Sequence, residues 1–517
     1  MVGLMSSINV SSYLPLDWVL TILAVFIIWW SIRPYTFLND CNLPGPRPWP
    51  LVGSFFLLYG GGRNYHENVL KMTQKYGKVF CWYEGRTPTI TITDPKLLKE
   101  ILVREFSKFQ DRNHPMGSPK RPSVTTSTLL RLNGKRWKDV RTIVSPAFSS
   151  GKIKEMSNLV NDITGRLMGV LEGYTVKGEP IEVFRVFGNY TLDVIATCAF
   201  GIETDCQGQL GSQFGDNARR LMLKSMNKNK AAFVFLAVCP SVVVLMRNWV
   251  TNTKPFRFFY RVLEDTLALR KDPGTERQDF LQMLLKAAEN GDEKGEKSHI
   301  TDSKTKLTEV EIMAQILVFL LAGYETTGVT LTFCAYELAT HPEVQDKLIE
   351  EIDERLKGET QLDLNAVQTL PYMEMVISET MRLYTPAPRF NRKCLQSCTI
   401  NGINFRKGVV VDVPIYTIHH NPEYWPEPEK FKPERFTAEA KAERDPYTFL
   451  PFSHGPRSCI GMRFAQMEMK ITLARILQKY RFKTCADTEI PLSLRPGVVT
   501  TPMNGVMLTV VRRENSA

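Results

Sequence analysis

The sequence predicts a mainly α-helical α+β fold, in which one large helix-rich domain carries small β-sheets and follows a single membrane-spanning helix. Long stretches rich in Met, Ala, Glu, Lys, Gln and Leu favour helices, and short β-branched or aromatic runs interrupt them. Hydrophobic residues make up 43% of the 517 residues, which is enough for one large core. An apolar run near the N-terminus stands apart from this domain.

Residues 1–33 form the predicted membrane anchor. Trp18 to Ile32 is apolar apart from Thr21 and Ser31, although this run is slightly shorter than the ~20 residues that span a bilayer. No Lys or Arg precedes Arg33, so we expect a retained helix with the remaining chain in the cytosol. A buried core helix is the alternative, and it does not explain the terminal position.

A proline-rich segment and the overall charge follow from composition. Four prolines between Pro44 and Pro50 predict a stiff hinge over residues 34–50, which leaves residues 51–517 as one domain. The net charge of +11 suits an acidic protein partner or an anionic membrane. The basic excess is scattered and no nucleic-acid motif is present, so we expect no nucleic-acid partner. Ten irregularly spaced cysteines predict no disulfide framework.

Periodicity and punctuation predict the main elements. We expect strands at Val79–Tyr83 and Thr89–Thr93 with a five-residue connection, and further strands at 403–413 and 505–511. Helices are expected from Lys135, from near Thr308 to Thr340 as a buried helix, at Val344–Leu356 and at Met462–Leu477. A loop is expected over 111–130 and a turn over 498–503. Residues 287–306 are polar and predict an exposed linker. Residues 231–245 are apolar and fit either a core helix with a loop or a segment that dips into the membrane.

Cys459 lies in a Pro- and Gly-rich stretch directly before the last predicted helix. N–H groups at a helix start stabilise negative charge, so we expect this thiol to ionise more readily than a free cysteine, whose pKa is ~8.5. Gly455 and Gly461 leave room for a large flat ligand, and Arg457 could pair with an anion on it. A lone cysteine is also commonly a small buried hydrophobe.

Two further patterns suggest ligand binding. Trp137 and Arg141 lie four residues apart on one helix face, and both carry only donors, so together they suit a carboxylate. An ordinary surface helix explains them as well. In the buried helix, Gly323 costs ~1 kcal/mol relative to Ala, which either a flat ligand or a packing contact with another helix would explain. A Thr326 bond to the carbonyl four residues back would distort this helix. Four residues are expected to share one of its faces: Phe319, Ala322, Gly323 and Thr326.

These motifs resemble those of the cytochrome P450 family. The resemblance rests on Phe-x-x-Gly-x-Arg-x-Cys-x-Gly at 452–461, Ala-Gly-x-Glu-Thr-Thr at 322–327, Glu-x-x-Arg at 379–382 and Pro-x-Arg-Phe at 433–436. It covers residues 33 to about 512 in the expected motif order. The runs 137–156 and 307–353 look like the clan of the drug- and steroid-oxidising, 3A-like microsomal enzymes and thromboxane synthase. The resemblance implies the P450 fold.

The resemblance also implies a set of site residues. Cys459 would supply the thiolate axial ligand of haem b. Thr326 and Glu325 would be catalytic and would organise water and protons for dioxygen activation. The implied cofactor-binding residues are Trp137, Arg141, Arg389, Arg457, Ala322, Gly323, Phe452 and Gly461, with Arg112 a weaker candidate. A buried charge network would comprise Glu379, Arg382 and Arg435. The substrate pocket would include Phe319, Ala387 and Val499.

The function that the resemblance implies is a haem-thiolate monooxygenase. Such an enzyme inserts one atom of O2 into a lipophilic substrate such as a steroid, lipid or xenobiotic. Electrons would come from NADPH through NADPH–cytochrome P450 reductase, with cytochrome b5 a further partner, at the endoplasmic reticulum membrane. Basic residues could steer the reductase: Lys135, Lys138 and Arg463. Two alternatives remain: an isomerase like thromboxane synthase, which rearranges a peroxide without a reductase, and a non-catalytic haem-binding sensor.

Overall fold

The structure is a computed structural model. It describes residues 16–36, 41–59, 65–114, 122–208, 212–223, 254–271, 279–289, 306–495 and 497–514. The apolar segment 231–245 and residues 290–305 of the predicted linker lie outside the described residues.

Helices dominate the described chain, which confirms the predicted mainly α-helical class. They are α1 Leu16–Ile32, α2 Phe55–Tyr59, α3 Tyr65–Tyr76, α4 Pro95–Lys99, α5 Gly134–Val144, α6 Ser150–Lys177, α7 Val183–Phe200, α8 Gln213–Leu223, α9 Lys254–Lys271, α10 Phe280–Glu289, α11 Glu309–Thr340, α12 Pro342–Leu356, α13 Leu364–Gln368, α14 Pro371–Leu383, α15 Ile415–His419, α16 Ala438–Glu443 and α17 Met462–Lys479. A π-helical turn occupies Glu100–Arg104.

Eleven short strands within the described chain form small sheets. They are β1 Val79–Glu84, β2 Thr87–Ile92, β3 Ile181–Glu182, β4 Phe390–Lys393, β5 Cys398–Ile400, β6 Ile403–Phe405, β7 Val410–Val413, β8 Tyr480–Thr484, β9 Leu494–Arg495, β10 Thr501–Pro502 and β11 Met507–Arg512. The largest sheet has the order β1-β2-β7-β4, with β2 and β7 parallel. The three-stranded sheet has the order β3-β11-β8, and the pairs β5-β6 and β9-β10 stand alone.

Helix α11 runs through the centre of the main core. Its N-terminus carries a capping box, in which the Thr308 hydroxyl accepts from the Glu311 N–H and the Glu311 carboxylate accepts from the Thr308 N–H at 2.9 Å. This confirms Thr308 as the expected start. Side chains from Ile312 to Leu320 are buried on all sides, as an evenly apolar helix requires. The structure therefore confirms the predicted central helix.

Glycine allows α11 to cross close to α7. A Cβ on Gly328 would lie 3.1 Å from the Thr191 hydroxyl oxygen and 3.3 Å from the Gly188 Cα. The Thr191 hydroxyl also donates to the Tyr324 carbonyl at 2.8 Å. A side chain at either glycine would push the helices apart, so this contact sets the height at which α11 meets the rest of the site.

Two predicted strand regions differ from the structure. Glu84 pairs with Thr87, so β1 and β2 are joined by a tight turn at Gly85 and Arg86 rather than by five residues. The single strand expected over 403–413 is two strands in different sheets. The backbone turns there at Gly408, whose φ of +95° is readily available only to glycine.

The second half of the predicted hinge lies against the sheet. The Pro44 carbonyl accepts from the Cys81 N–H at 2.9 Å, and Cys41 and Pro46 are buried. A Cβ on Gly45 would lie 1.8 Å from the Cys81 carbonyl oxygen, so only glycine fits this position. Residues 41–50 are thus packed on β1, because the backbone of this segment pairs with a strand.

Two helices of the described chain are strongly apolar, and they differ in burial. One helix in that part of the chain is long and apolar enough to cross a bilayer, namely α11, and 67% of its most apolar window is buried inside the protein. It is therefore a core helix. Trp18–Trp30 of α1 is apolar but shorter, and most of its side chains are exposed.

The ion-pair network implied for Glu379, Arg382 and Arg435 is present. Arg382 makes two bonds to the Glu379 carboxylate, at 2.7 and 2.8 Å, and both side chains are fully buried. Arg435 reaches the same carboxylate at 3.2 Å, and the Lys432 N–H donates to it at 3.0 Å. Arg382 also donates to the His419 carbonyl at 2.9 Å. The network therefore ties α14 to α15 and to the segment that precedes the cysteine loop.

We expect Glu379→Gln to lower the free energy of unfolding by about 3–5 kcal/mol, because it leaves two arginines without their carboxylate. The measurement is the urea unfolding midpoint of the haem-loaded protein. The matched control is Glu155→Gln, which breaks an exposed pair with Lys152 at 2.6 Å and should cost about 1 kcal/mol or less. Equal midpoint shifts in the two variants would contradict a structural role for the network.

Candidate active site

The cysteine loop is held by its own backbone. The Cys459 N–H donates to the Phe452 carbonyl at 2.9 Å, and the Ser458 N–H donates to the Gly455 carbonyl at 2.9 Å. Helix α17 begins at Met462, three residues after the cysteine, as predicted. Arg141 of α5 donates to the Ser458 carbonyl at 3.0 Å. The loop is therefore fixed from within and from α5, and it presents an accessible Cys459 side chain.

Position 455 of this loop accepts only glycine. Its φ is +79°, and a Cβ there would lie 2.1 Å from the Leu102 carbonyl oxygen. Both the backbone conformation and the contact exclude a side chain. By contrast, a Cβ on Gly461 would only touch Phe148 at 3.8 Å, which is an ordinary contact.

The expectation that the Cys459 thiol ionises readily stays a prediction for a metal-bound sulfur. For the protein by itself, desolvation by the atoms packed around this accessible side chain raises the pKa of the thiol above its usual value. The Gly461 N–H and the charges of Arg141 and Arg112 act in the opposite direction but do not outweigh burial. The loop thus supplies the predicted donors, while the surrounding protein removes more water than they compensate.

One stretch of the central helix is accessible although the helix is otherwise buried. Ala322 is exposed, and Leu321, Glu325 and Thr326 are partly exposed. The Thr326 hydroxyl donates to the Ala322 carbonyl at 2.6 Å, as predicted. This bond and the Thr191 bond to the Tyr324 carbonyl both draw on carbonyls of the same turn.

Gly323 is partly exposed on this stretch, whereas Phe319 is buried. A Cβ on Gly323 would lie 2.9 Å from Ile195 of α7, so the packing contact with another helix explains this glycine, and its role in cofactor binding stays a prediction. Phe319 is buried with its ring centroid 5.4 Å from that of Phe148 and 4.9 Å from that of Phe280. Its expected place in a substrate pocket stays a prediction, and Leu321 is an accessible apolar neighbour that sequence reasoning missed.

Glu325 has the properties of a proton donor. Burial raises the pKa of its carboxyl to about 7, and the nearby charge of Arg495 limits the rise. A carboxyl that titrates near neutral pH can both hold and release a proton under physiological conditions. Glu325 directly precedes Thr326, so an acid and a hydroxyl occupy adjacent positions on the accessible stretch.

Buried arginines surround the site on the side of α5. Desolvation lowers the pKa of Arg112 to about 10 and that of Arg457 to about 9, and it lowers the pKa of Arg392 well below its usual value. The repulsion between these cations adds to the effect. Buried side-chain nitrogens of all three lack a hydrogen-bond partner: Nε of Arg112, Nε and Nη2 of Arg392, and Nε of Arg457. Such a cluster fits an anion, and haem carries two propionate groups.

Trp137 belongs to the same cluster. It is buried, and the Arg457 guanidinium lies 4.3 Å from its ring centroid. Arg457 also donates to the Leu132 carbonyl at 2.6 Å. Trp137 therefore packs beneath one of the arginines, while Arg141 on the same helix face holds the cysteine loop.

Arg389 lies elsewhere. Its guanidinium stacks 4.1 Å from the Tyr65 ring centroid and lies 3.4 Å from Glu84 and 3.7 Å from Asp412. Burial raises the pKa of Asp412 to about 6 and Arg389 opposes this rise, which is the behaviour of a paired acid and base. The expectation that Arg389 reaches a propionate does not fit this placement. Arg392 lies three residues further on, in β4. Sequence reasoning missed it because an arginine in a short strand gives no signal of ligand binding.

The structure brings Ala387 and Val499 close together. The Thr500 N–H donates to the Pro386 carbonyl at 2.9 Å, which joins the loop after α14 to the turn before β10. Both residues are partly exposed. They can therefore line one wall of a common space, as the resemblance implies.

Known proteins resemble this chain over nearly its whole length. The family model for cytochrome P450 matches residues 43–510. Cytochrome P450 3A16 of Mus musculus is 35% identical over 516 residues, covering 98% of this chain and 99% of the relative. Cytochrome P450 3A12 of Canis lupus familiaris is 36% identical over 509 residues, covering 96% of this chain and 97% of the relative.

The family match spans most of the described domain, and the relatives match it almost from end to end. Both agree with the resemblance seen in the motifs, which is thereby confirmed. The chain belongs to the cytochrome P450 family and is a haem-dependent monooxygenase, in which a cysteine thiolate is the axial ligand of the haem iron.

Proposed function

We propose that this monooxygenase oxidises a lipophilic steroid, lipid or xenobiotic with electrons that NADPH–cytochrome P450 reductase delivers. The observation that carries the proposal is the accessible Glu325–Thr326 pair on the otherwise buried helix α11. When bound, the haem activates dioxygen, and its thiolate ligand favours O–O cleavage. That chemistry consumes protons, and the pair is placed to supply them. The relatives' P450 3A names support the same class of activity.

The proposed site residues follow from their placement. Cys459 would ligate the iron; its loop fixes the Cys459 backbone N–H on the Phe452 carbonyl and offers the Gly461 N–H to the sulfur. Arg112, Arg392 and Arg457 bind the propionates, since their buried donors need an acceptor. Ala322 faces the distal side of the haem. Ala387, Val499 and Leu321 contribute an apolar surface for the substrate.

The proposed setting is the endoplasmic reticulum membrane, with α1 as a single-pass anchor and the domain in the cytosol. The exposed apolar side chains of α1 and the following Arg33 support this orientation. Lys135, Lys138 and Arg463 form the basic surface that we propose for the reductase, with cytochrome b5 as a second donor. Arg463 lies in the first turn of α17, the helix that follows the cysteine loop. It donates to the Ser150 hydroxyl at 3.0 Å.

The function is tested with the full-length, haem-loaded protein, its reductase and NADPH in lipid vesicles. A panel of steroids, fatty acids and drug-like molecules is scored for a substrate-induced shift of the haem spectrum and for oxygenated product formed under 18O2. We expect one labelled atom in the product and one in water, with Cys459→Ser inactive. Turnover of a peroxide without NADPH would favour the isomerase, and spectral binding without any turnover would favour the sensor.

We expect Arg392→Gln to speed the loss of haem roughly 10–100-fold, as the removal of a hydrogen bond between charged groups predicts. The measurement is haem transfer to excess apomyoglobin. The same variant should make the haem-free protein more stable, because it removes a buried charge that lacks a full set of acceptors. Arg389→Gln is the matched control and should release haem at the parent rate. Faster loss from Arg389→Gln alone would restore the expectation from the sequence.

We expect product formation to fall as pH rises through about 7, because Glu325 loses the proton that it donates above its raised pKa. Its contribution to stability has the same sign, since a raised pKa favours the folded state at low pH and the benefit is lost as pH rises through 7. Glu325→Gln should react roughly 10–100-fold more slowly and without this pH limb. Glu309→Gln, on the exposed first turn of the same helix, is the control. A pH limb that survives in Glu325→Gln would assign it to another group.

A further inference from the structure

Arg86 lies where the end of α1 meets the first β-hairpin. Its guanidinium stacks 3.4 Å from the Trp30 ring centroid, and Nη2 donates to the Trp30 carbonyl at 3.1 Å. Trp30 lies within the last four residues of α1, whose carbonyls have no partner inside the helix. A cation at this end also complements the helix dipole. One side chain therefore satisfies a helix end and covers an aromatic ring.

The residues after α1 continue this attachment. The Tyr35 ring meets the Tyr83 ring edge-on at 4.7 Å, and the Tyr35 hydroxyl donates to the Trp49 carbonyl at 2.8 Å. Arg86 and Tyr83 belong to the same hairpin, since Tyr83 lies in β1 and Arg86 in the turn between β1 and β2. The end of α1 and the next short helical turn are thus bound to the catalytic domain at several points.

Exposed apolar residues lie on the same part of the domain. Trp49, Phe56 and Leu57 are 62%, 58% and 48% exposed. Their backbone is tied to the hairpin, because the Ser54 N–H donates to the Tyr83 carbonyl at 2.8 Å and Gly53 forms a bridge with Glu84. We call Trp49, Phe56 and Leu57 the apolar surface. The hairpin contacts both the segment that carries this surface and the end of α1.

We propose that Arg86 locks α1 to the hairpin, and that the lock holds the apolar surface against the same bilayer in which α1 lies. This inference rests on the membrane anchor proposed above. The 17 residues of α1 rise about 26 Å, close to the thickness of the ~30 Å hydrocarbon core, so Trp30 near the end of the helix lies close to the lipid interface. Tryptophan is favoured at that depth, which suits Trp49 as well as Trp30. Arg86 is a positioning residue that fixes the orientation of the domain on the lipid.

The test uses the full-length, haem-loaded protein in phosphatidylcholine bilayers that contain a lipid with a photoreactive diazirine on its acyl chain. Lipid adducts are mapped by mass spectrometry after illumination. In the parent protein we expect adducts in residues 18–30 and in residues 49–57. Arg86→Gln should keep the adducts in residues 18–30, and the yield of adducts in residues 49–57 should fall at least about fivefold. The control is Arg104→Gln, an exposed arginine paired with Glu100, which should match the parent.

A second variant separates loss of the lock from misfolding. Trp30→Leu removes the ring on which Arg86 stacks but keeps the carbonyl that Arg86 binds, so it should reduce the adducts in 49–57 less than Arg86→Gln does, and the double variant should be no worse than Arg86→Gln alone. The reduced carbon monoxide spectrum checks that each variant retains its folded haem site.

Each other outcome decides against a stated part. Parent-like adducts in Arg86→Gln would overturn the lock. Adducts in 18–30 but none in 49–57 of the parent would overturn the apolar surface, as would crosslinks from 49–57 to a second copy of the chain. An absence of adducts in 18–30 would overturn the anchor itself, and with it the proposed membrane setting.

Discussion

The site depends on positive charge that the protein buries. Arg112, Arg392 and Arg457 lie together with side-chain nitrogens that find no partner in the described chain, and each has a lowered pKa because water is excluded and the other cations are near. Such an arrangement is costly without an anion. The propionates of haem are the anions that this family supplies, so folding of this region and retention of the cofactor are one problem.

The cysteine follows the same logic. Burial raises the pKa of the Cys459 thiol although the Gly461 N–H and two arginines favour the thiolate. A metal cation ligated by the sulfur supplies the missing charge. The arginines are therefore prepared for an anion and the cysteine sulfur for a cation, and protein groups alone supply neither.

The close crossing of α7 and α11 positions the distal side. Gly188 and Gly328 allow the approach, Ile195 occupies the space beside Gly323, and Thr191 bonds to the Tyr324 carbonyl. Only the stretch from Leu321 to Thr326 is left accessible on the central part of α11. Packing between two helices thus decides which residues of the motif are accessible and which belong to the core.

Local patterns in the sequence determined much of this protein. The run of Pro and Gly before α17 located Cys459 on a loop, the capping residues located the start of α11, and the order of the motifs indicated the family. Tertiary structure decided which arginines are left with unpartnered nitrogens, what Gly323 packs against, where Phe319 packs, and the direction in which the Cys459 pKa moves. These properties depend on residues far away in the chain, such as Glu84 beside Arg389 and Ile195 beside Gly323. Periodicity and turn chemistry report the neighbours of a residue along the chain, whereas charge compensation and close contacts depend on neighbours that only folding brings together.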